Sequence, residues 1–328
     1  MWENMKDFII KHKEAVRIVI FMGGLFIVLM VLSMLIRPES GEVYNITAVR
    51  MKNEVVAKER PESMDVLFVG NSESYRSFSP LQLYRDHGAA SYNLGASALR
   101  LCDSREILSE TLKVQSPKLV ILETDAVFEE AGAYRDEKAK FTNLMEEKFP
   151  LFHYHIFYKS YLPESVKSKD VYYSDAEVFK GFLVETMVRP YEGGDYMNED
   201  APKVKMPEEN ERILRDIMNI CKEQNVEFLL VSAPSATNWN KGKHRVVENW
   251  AEKWDVKYLD LNQKLDEIGI DWMTDTMDNG NHVNFEGSVK VMDYLGGYLY
   301  ENYDLPDHRN EIFYIDWDKN LDKAVLYS

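Results

Sequence analysis

Nineteen consecutive residues near the N-terminus, IVIFMGGLFIVLMVLSMLI from Ile18 to Ile36, carry no charged side chain. At a rise of about 1.5 Å per residue, a helix of this length is about 28 Å long, close to the thickness of the hydrocarbon core of a bilayer. A cleaved signal peptide has a shorter apolar core and a small-residue cleavage site, whereas here Arg37-Pro38 follows directly. A buried helix of a soluble protein is disfavoured as well, because no face of this stretch is polar. The sequence therefore predicts an uncleaved transmembrane anchor over residues 18–36.

The distribution of basic residues predicts how this anchor is oriented. Four of them precede the apolar stretch, namely Lys6, Lys11, Lys13 and Arg17, whereas after Arg37 the next one is Arg50. Basic residues next to a membrane span favour the cytoplasmic side. We therefore expect a single-pass protein of the cell membrane, with a cytoplasmic tail over residues 1–17 and the rest of the chain after the anchor outside.

Composition excludes several functional classes. Lys and Arg number 39 and Asp and Glu 55, which gives a net charge of −16, and 45% of the residues are hydrophobic. An excess of acidic residues argues against nucleic-acid binding, because displacement of phosphate counterions needs Lys and Arg. The two cysteines, Cys102 and Cys221, exclude a disulfide scaffold and a cysteine-based zinc site, and we expect them in the core. No metal or other cofactor is predicted.

After a charged stalk over residues 37–64, short apolar segments alternate with helical patterns. The apolar segments predict strands over 65–70, 91–95, 118–124, 226–233 and 257–261. Helices are expected over 80–87, 101–115, 208–224, 243–253 and 285–303. This alternation predicts a three-layer α/β/α sandwich with a mostly parallel, flavodoxin-like sheet, forming one extracytoplasmic domain over 65–328.

Residues 126–205 interrupt the alternation and are rich in aromatic and charged side chains. We interpret them as an insertion of helices and loops over one end of the sheet. Its aromatic and imidazole side chains suit a lid or a sugar-binding platform, and equally an ordinary packed subdomain; they are His153, His155, Tyr158 and Tyr161. The segment after Tyr303 is expected to pack across the domain.

Ligands of parallel sheets bind at the carboxyl ends of the strands, so the residues there are the first candidates for chemistry. Ser72 follows the first strand after Gly70, a position that suits an exposed nucleophile, although a helix-capping serine has the same pattern. Gly95 follows the second strand and offers an unobstructed N–H to an oxyanion, although turn glycines are common there as well.

His282 lies in a loop rich in Asn, Gly and Asp that precedes the last helix. A histidine that acts as general base for a serine needs an acceptor on its other ring nitrogen. Two carboxylates in the same segment qualify, Asp278 four residues before the histidine and Asp275 seven residues before it. We favour Asp278 and keep Asp275 as the alternative.

These blocks, in this order, resemble the SGNH (GDSL-type) hydrolase superfamily. Its Gly-Asp-Ser block matches Gly70-Asn71-Ser72 with Asn in place of Asp, and its second-block glycine matches Gly95. The Asp-x-x-His block matches the His282 loop, except that Asn279 stands three residues before the histidine. The Gly-x-Asn-Asp block is the poorest match, because Glu123-Thr124-Asp125 lacks both the Gly and the Asn.

The resemblance implies acyl-ester chemistry, with Ser72 as nucleophile, His282 as base and Asp278 as its support. It also implies an oxyanion hole formed by the backbone of Ser72 and Gly95 together with Thr124. An N-terminal anchor before such a domain is similar to the branch that includes the D-alanyl-lipoteichoic acid transfer protein DltD and the alginate-type O-acetylation proteins. That branch implies hydrolysis or transfer of acyl groups on a cell-surface polysaccharide or teichoic-acid-like polymer, beside a multi-pass membrane O-acyltransferase. The alternatives are a non-catalytic scaffold for such an acyltransferase and a soluble lipase.

Overall fold

The computed structural model describes residues 12–35, 56, 58–129, 141, 144–145, 148–149, 151–152 and 178–324. The chain divides into two compact units, one formed by Met1–Glu42 with Gly132–Val171 and the other by Val43–Ala131 with Tyr172–Ser328. Several predictions lie outside the described residues: most of the cytoplasmic tail and stalk, and the central part of the insertion with His153, His155, Tyr158 and Tyr161.

The first unit contains helix α1, Lys13–Leu35. Its length and composition are sufficient to cross a membrane, and only 6% of its most apolar 18-residue stretch is buried within the protein. Two contacts connect it to residues of the predicted insertion: the rings of Phe26 and Phe149 lie 5.5 Å apart, and the Leu151 N–H donates to Ser33 Oγ over 3.1 Å. The predicted anchor is therefore a single continuous helix, which begins five residues earlier than the apolar run.

The second unit contains a five-stranded sheet in the order β2-β1-β3-β4-β5, in which every neighbouring pair is parallel. The strands are β1 Val66–Val69, β2 Ser91–Asn93, β3 Leu119–Glu123, β4 Glu227–Ser232 and β5 Lys257–Asp260. This is the flavodoxin-like strand order. From β1 the chain first adds β2 on one side and then adds β3, β4 and β5 on the other, and this change of side between β1 and β3 opens a ligand crevice at their carboxyl ends. The predicted α/β fold with a parallel sheet is confirmed.

Eight helices of the described chain accompany this sheet. They are α2 Ser72–Ser77, α3 Pro80–His87, α4 Leu101–Thr111, α5 Glu208–Glu223, α6 Lys241–Trp254, α7 Leu265–Ile268, α8 Phe285–Asn302 and α9 Ile315–Ala324. Helices α4 and α5 pack against each other, and α8 packs against α2 and α3. Alternate residues of a strand face opposite sides of a sheet, and both faces of β1 and β3 are fully buried; β1 is apolar throughout, and β3 is apolar up to Leu122 and ends with the buried Glu123.

Local sequence signals define the ends of these helices. The Ser79 side chain caps α3 by accepting from the Gln82 N–H, Pro80 occupies the first turn, and Gly88 ends the helix in the left-handed conformation with φ of 78°. The Asn284 side chain caps α8 by accepting from the Gly287 N–H. Because α8 begins immediately after the His282 loop, this cap fixes where that loop ends.

The predicted strands and long helices agree with the observed ones to within a few residues, and the structure adds three short helices, α2, α7 and α9. The C-terminal segment does pack across the domain. Trp317 of α9 stacks on Tyr84 of α3 with a centroid distance of 4.9 Å, and the Tyr84 hydroxyl donates to Asp318 Oδ1 over 3.2 Å. Cys221 is fully buried as expected, whereas Cys102 is half-buried.

Candidate active site

Ser72 lies at the carboxyl end of β1, on the first residue of α2. Gly70 has φ of 156°, and a Cβ there would lie 2.7 Å from Glu123 Cβ and 3.0 Å from Ser74 Cβ. Only glycine therefore allows β1 and β3 to approach so closely before the chain turns. The Asn71 side chain then caps α2 by accepting from the Glu73 N–H over 3.0 Å. Ser72 thus combines a capped helix start with an accessible side chain.

The structure brings Ser72, His282 and Asp278 together in one hydrogen-bonded chain. Ser72 Oγ lies 2.8 Å from His282 Nε2, and His282 Nδ1 lies 2.6 Å from Asp278 Oδ2. Asp278 Oδ1 also accepts the main-chain N–H of His282 over 2.7 Å. With the carboxylate as acceptor, the proton of the neutral imidazole resides on Nδ1, which leaves Nε2 to accept from the serine hydroxyl.

The pKa of Asp278 suits a carboxylate that accepts the Nδ1 proton of His282. Partial burial works to raise the pKa of Asp278, but the hydrogen bonds and charge of His282 lower it below its ordinary value. Asp275, the alternative partner, lies elsewhere: it is 2% exposed and accepts from the Asp271 N–H at 2.7 Å and from Lys290 Nζ at 2.6 Å. Asp275 therefore stabilises the loop without touching His282.

The His282 loop is held by its own main chain and by the last part of the predicted insertion. The Thr276 hydroxyl donates to the His282 carbonyl over 2.9 Å and accepts the Gly280 N–H over 2.8 Å. The Arg189 N–H donates to the Thr276 carbonyl, and the Asn279 N–H donates to the Arg189 carbonyl. Arg189, which lies in a stretch over 181–205 without helix or strand, thus supports the loop that carries His282.

Gly95 lies next to the start of α2, as the sequence predicted, but its N–H already has an acceptor. The Asn93 side-chain oxygen accepts from the Gly95 N–H over 2.9 Å and from Ser74 Oγ over 3.1 Å. The Asn93 amide donates to the carbonyls of Ser74 and Phe78, both over 2.9 Å. Asn93 therefore connects the end of β2 to α2 and holds Gly95 close to that helix.

Thr124 does not present a free hydroxyl to the site. It is 0% exposed, and its Oγ1 lies 2.6 Å from Ser232 Oγ, which in turn lies 2.8 Å from the Tyr258 hydroxyl. These three hydroxyls, one directly after β3, one at the end of β4 and one within β5, hydrogen-bond in series. The Thr124 hydroxyl therefore has a partner on the neighbouring strand, and its contact with an oxyanion stays a prediction.

Buried carboxyl groups surround the base of α2. Glu73 is 1% exposed, and its Oε1 lies 3.9 Å from His282 Nε2. Burial, together with the charges of Asp125 and Glu123, raises its pKa well above the ordinary value. Burial and the charge of Asp125 likewise raise the pKa of Glu123 to about 8. Lys243 compensates part of this charge, since its Nζ donates to Asp125 Oδ1 over 2.9 Å.

Three residues near the triad were not found from the sequence. Glu73 is one, Asn238 is the second because its amide donates to Glu73 Oε1 over 3.1 Å, and Arg76 is the third because its Nη1 lies 2.5 Å from Met277 Sδ. Asn238 follows β4, so the rule that sites form at the carboxyl ends of strands would have found it. Arg76 is one helical turn after Ser72, a signal available only once α2 is recognised as a helix.

Within the described ranges, no group of three or more His, Cys, Asp or Glu side chains is arranged to hold a metal ion. The chemistry that the observed residues can perform is nucleophilic. A serine hydroxyl, an imidazole and a carboxylate in series are the components of acyl transfer through a covalent intermediate.

A scan against protein-family models and a search of curated proteins gave no match. Among solved structures, the chain is similar to a GDSL-like lipase from Bacteroides thetaiotaomicron, with 12% identity, 79% of this chain and 100% of that chain covered, and a TM-score of 0.39. It is also similar to a family 3 carbohydrate esterase from Clostridium thermocellum, with 12% identity, 74% and 96% covered, and a TM-score of 0.37. The functional conclusion for this chain therefore depends on the geometry of Ser72, His282 and Asp278.

Proposed function

We propose that this protein is a membrane-anchored serine enzyme of SGNH type that cleaves or transfers acyl esters. The observation that carries the proposal is the hydrogen-bonded series from Ser72 Oγ through the His282 ring to Asp278, with distances of 2.8 Å and 2.6 Å. A binding module has no need of this series, because a buried imidazole held by a carboxylate and aimed at a serine serves proton transfer.

In the first step, Ser72 Oγ attacks the acyl carbonyl carbon while His282 Nε2 accepts the hydroxyl proton. Asp278 keeps the other ring nitrogen protonated and stabilises the imidazolium that forms. The tetrahedral intermediate then collapses, the bond to the alcohol oxygen breaks, and the imidazolium returns its proton to that oxygen. In the second step, water or an acceptor hydroxyl attacks the acyl-serine with the same base, and Ser72 is regenerated.

The oxyanion of the tetrahedral intermediate needs hydrogen-bond donors close to Ser72. The Ser72 amide is one of the first-turn N–H groups that an α-helix leaves without an intrahelical partner, so we assign it as the main donor. The Gly95 N–H would contribute by sharing its hydrogen between the oxyanion and Asn93, a three-centre bond of a kind that is common at helix termini. We assign no direct role to Thr124, because its hydroxyl contacts Ser232.

Helix α1 supports a membrane location for this chemistry, since its length and composition suffice for one span. The excess of basic residues before it supports an extracytoplasmic domain. For such a domain we propose a cell-surface polysaccharide or teichoic-acid-like polymer as substrate and a multi-pass membrane O-acyltransferase as partner. An acceptor hydroxyl on such a polymer would make the reaction a transfer, and water would make it a hydrolysis.

The test is the release of phenol from an aryl acetate by the full-length chain in detergent, compared with Ser72→Ala. Ser72 is half-buried and its replacement removes only a hydroxyl oxygen, so Ser72→Ala is expected to fold and to lose activity by several orders of magnitude. Ser77→Ala on the same helix is the control, since it changes a buried serine outside the triad. Equal release by the native chain and Ser72→Ala would contradict the proposal and favour a non-catalytic scaffold.

A further inference from the structure

Arg76 has an unusual position beside the triad. It lies four residues after Ser72 on α2, so the two side chains emerge from the same face of the helix, one turn apart. Its Nη1 lies 2.5 Å from the sulfur of Met277, the residue before Asp278. The guanidinium therefore lies between the helix that carries the nucleophile and the loop that carries the base.

No carboxylate of the described residues lies within 4 Å of this guanidinium, although acidic groups surround the site. The charge of Arg76 acts on Asp278, but both oxygens of that carboxylate accept hydrogen bonds from the ring and main-chain nitrogens of His282. Arg76 contacts the Met277 sulfur and Tyr75, whose ring centroid is 5.5 Å away and whose hydroxyl hydrogen-bonds with the guanidinium, so its partners are neutral groups. Its Nε is buried and has no acceptor.

A partly buried cation with an unmet hydrogen-bonding demand is costly unless a ligand satisfies it. The other arginines near the protein surface illustrate the difference. Arg85 forms two bonds with the Asp86 carboxylate, 2.7 Å and 2.8 Å long, and Arg105 contacts Asp216 at 3.0 Å. Lys243, the other cation near the triad, is committed to Asp125 and to the Asn238 carbonyl.

Guanidinium groups bind carboxylates and phosphates through two parallel N–H bonds, which fix orientation as well as charge. We propose that Arg76 binds an anionic oxyacid group, a carboxylate or a phosphate, carried by the substrate next to the ester that Ser72 attacks. This inference rests on the proposed function and narrows its substrate class to negatively charged esters or negatively charged acceptors. The positive charge of Arg76 would also attract an anion to a site whose other charged groups are mainly carboxylates.

The kinetic test compares two aryl esters of nearly equal shape with the full-length chain in detergent. One is the para-nitrophenyl monoester of succinic acid, which has a free carboxylate, and the other is its neutral methyl ester. We expect the native chain to prefer the charged ester, and Arg76→Gln to lower the ratio of the two kcat/KM values on the order of tenfold or more. Arg76→Lys, which keeps the charge without the planar fork, should have an intermediate ratio. The control Arg85→Gln should leave the ratio unchanged.

A binding test needs no turnover and separates the two anions. The midpoint of thermal unfolding of Ser72→Ala is measured in sodium succinate, sodium phosphate and sodium chloride at equal ionic strength, with and without Arg76→Gln. A bound anion raises the midpoint, so we expect succinate or phosphate to raise it only when Arg76 is present. Whichever anion does so identifies the carboxylate or the phosphate as the ligand chemistry.

The outcomes of the two tests are distinguishable. Absence of Ser72-dependent turnover would contradict the proposed function, while the binding test would still decide on the anion site. An equal loss of activity on both esters in Arg76→Gln, with no Arg76-dependent stabilisation by either anion, would overturn the inference. Arg76 would then be a positioning residue that acts on His282 through the charge of Asp278.

Discussion

Asp278 holds His282 at two points: one carboxylate oxygen accepts from the imidazole Nδ1 over 2.6 Å and the other accepts the main-chain N–H of the same residue over 2.7 Å. A single side chain thus fixes both the tautomer of the ring and the backbone from which the ring projects. The four-residue separation makes this double contact local to one loop.

Asp278→Asn is expected to lower kcat/KM by about 10³- to 10⁴-fold while the protein stays folded. In a carboxamide only the oxygen accepts and the NH2 group donates, so the two hydrogens of His282 that Oδ1 and Oδ2 of Asp278 accept separately lose one acceptor, and the wrong ring tautomer is favoured. The measurement is aryl acetate turnover, with circular dichroism as a check on folding. A loss below tenfold would contradict the role of Asp278.

Asp275→Asn is the matched change at the alternative carboxylate. Asp275 accepts from Lys290 and from the Asp271 N–H, so its loss is expected to lower the midpoint of thermal unfolding and to leave kcat within a few fold. A larger loss of kcat in Asp275→Asn than in Asp278→Asn would exchange the assignments of the two residues.

Gly70→Ala is expected to destabilise the protein by about 1–3 kcal/mol, because the new Cβ would overlap the side chains of Glu123 and Ser74 at a positive φ. Gly297→Ala is the control, since a Cβ at Gly297 in α8 meets nothing within 4 Å. The helical preference of alanine should raise stability there by up to about 1 kcal/mol. Denaturant titration of both variants checks the pair, and equal stability of the two would show that β1 and β3 separate easily.

The raised pKa of Glu123 should make the free energy of unfolding decrease as the pH rises. Its pKa is raised to about 8 from an ordinary value of 4.5, so between these values the folded protein binds a proton that the unfolded chain has released. The free energy of unfolding should therefore fall as the pH rises across this window, by up to about 1.4 kcal/mol per pH unit for this group.

Glu123→Gln should remove this part of the slope and leave stability below pH 4.5 little changed, because the native side chain is neutral there. The measurement is the free energy of unfolding at several pH values from 4 to about 8.5, with Glu252→Gln on the exposed surface of α6 as control. An unchanged slope in Glu123→Gln would mean that the ionised carboxylate is well accommodated.

Thr124→Val tests the predicted oxyanion contact at the segment that matches the Gly-x-Asn-Asp block. The Thr124 hydroxyl contacts Ser232, so we expect kcat to stay within about threefold and stability to fall by about 1 kcal/mol from one lost hydrogen bond. If Thr124 instead binds the oxyanion, kcat should fall by about 10²- to 10³-fold. Single-turnover kinetics with the aryl acetate distinguish the two results.

Much of the fold was predictable because its signals are local. Apolar runs bounded by Gly or Pro predicted β1, β3 and β4, and shorter segments with apolar residues at 91–95 and 257–261 predicted β2 and β5. Helix α2 escaped prediction because six residues are too few to display a helical period. Helix α9 escaped because its stability depends on contacts such as Trp317 with Tyr84, which lie far apart in sequence.

The candidate site was predictable where neighbours in sequence are neighbours in space. Asp278 and His282 share a loop, and strand ends pointed to Ser72 and Gly95. The partners of hydroxyl and amide groups were not predictable, because they depend on register between strands. The register that pairs Glu123 with Val231 brings Thr124 close to Ser232, and only the assembled sheet shows this.

The nucleophile and its base are 210 positions apart along the chain. A growing polypeptide therefore carries Ser72 for most of its synthesis before the imidazole that would activate it has been made. Until the His282 loop has emerged and α8 has docked against α2, the serine is as unreactive as any other hydroxyl. Under the proposed function, the order of residues along the chain therefore delays the reactivity of Ser72 until the domain is complete. Unfinished chains would then not react with esters around them.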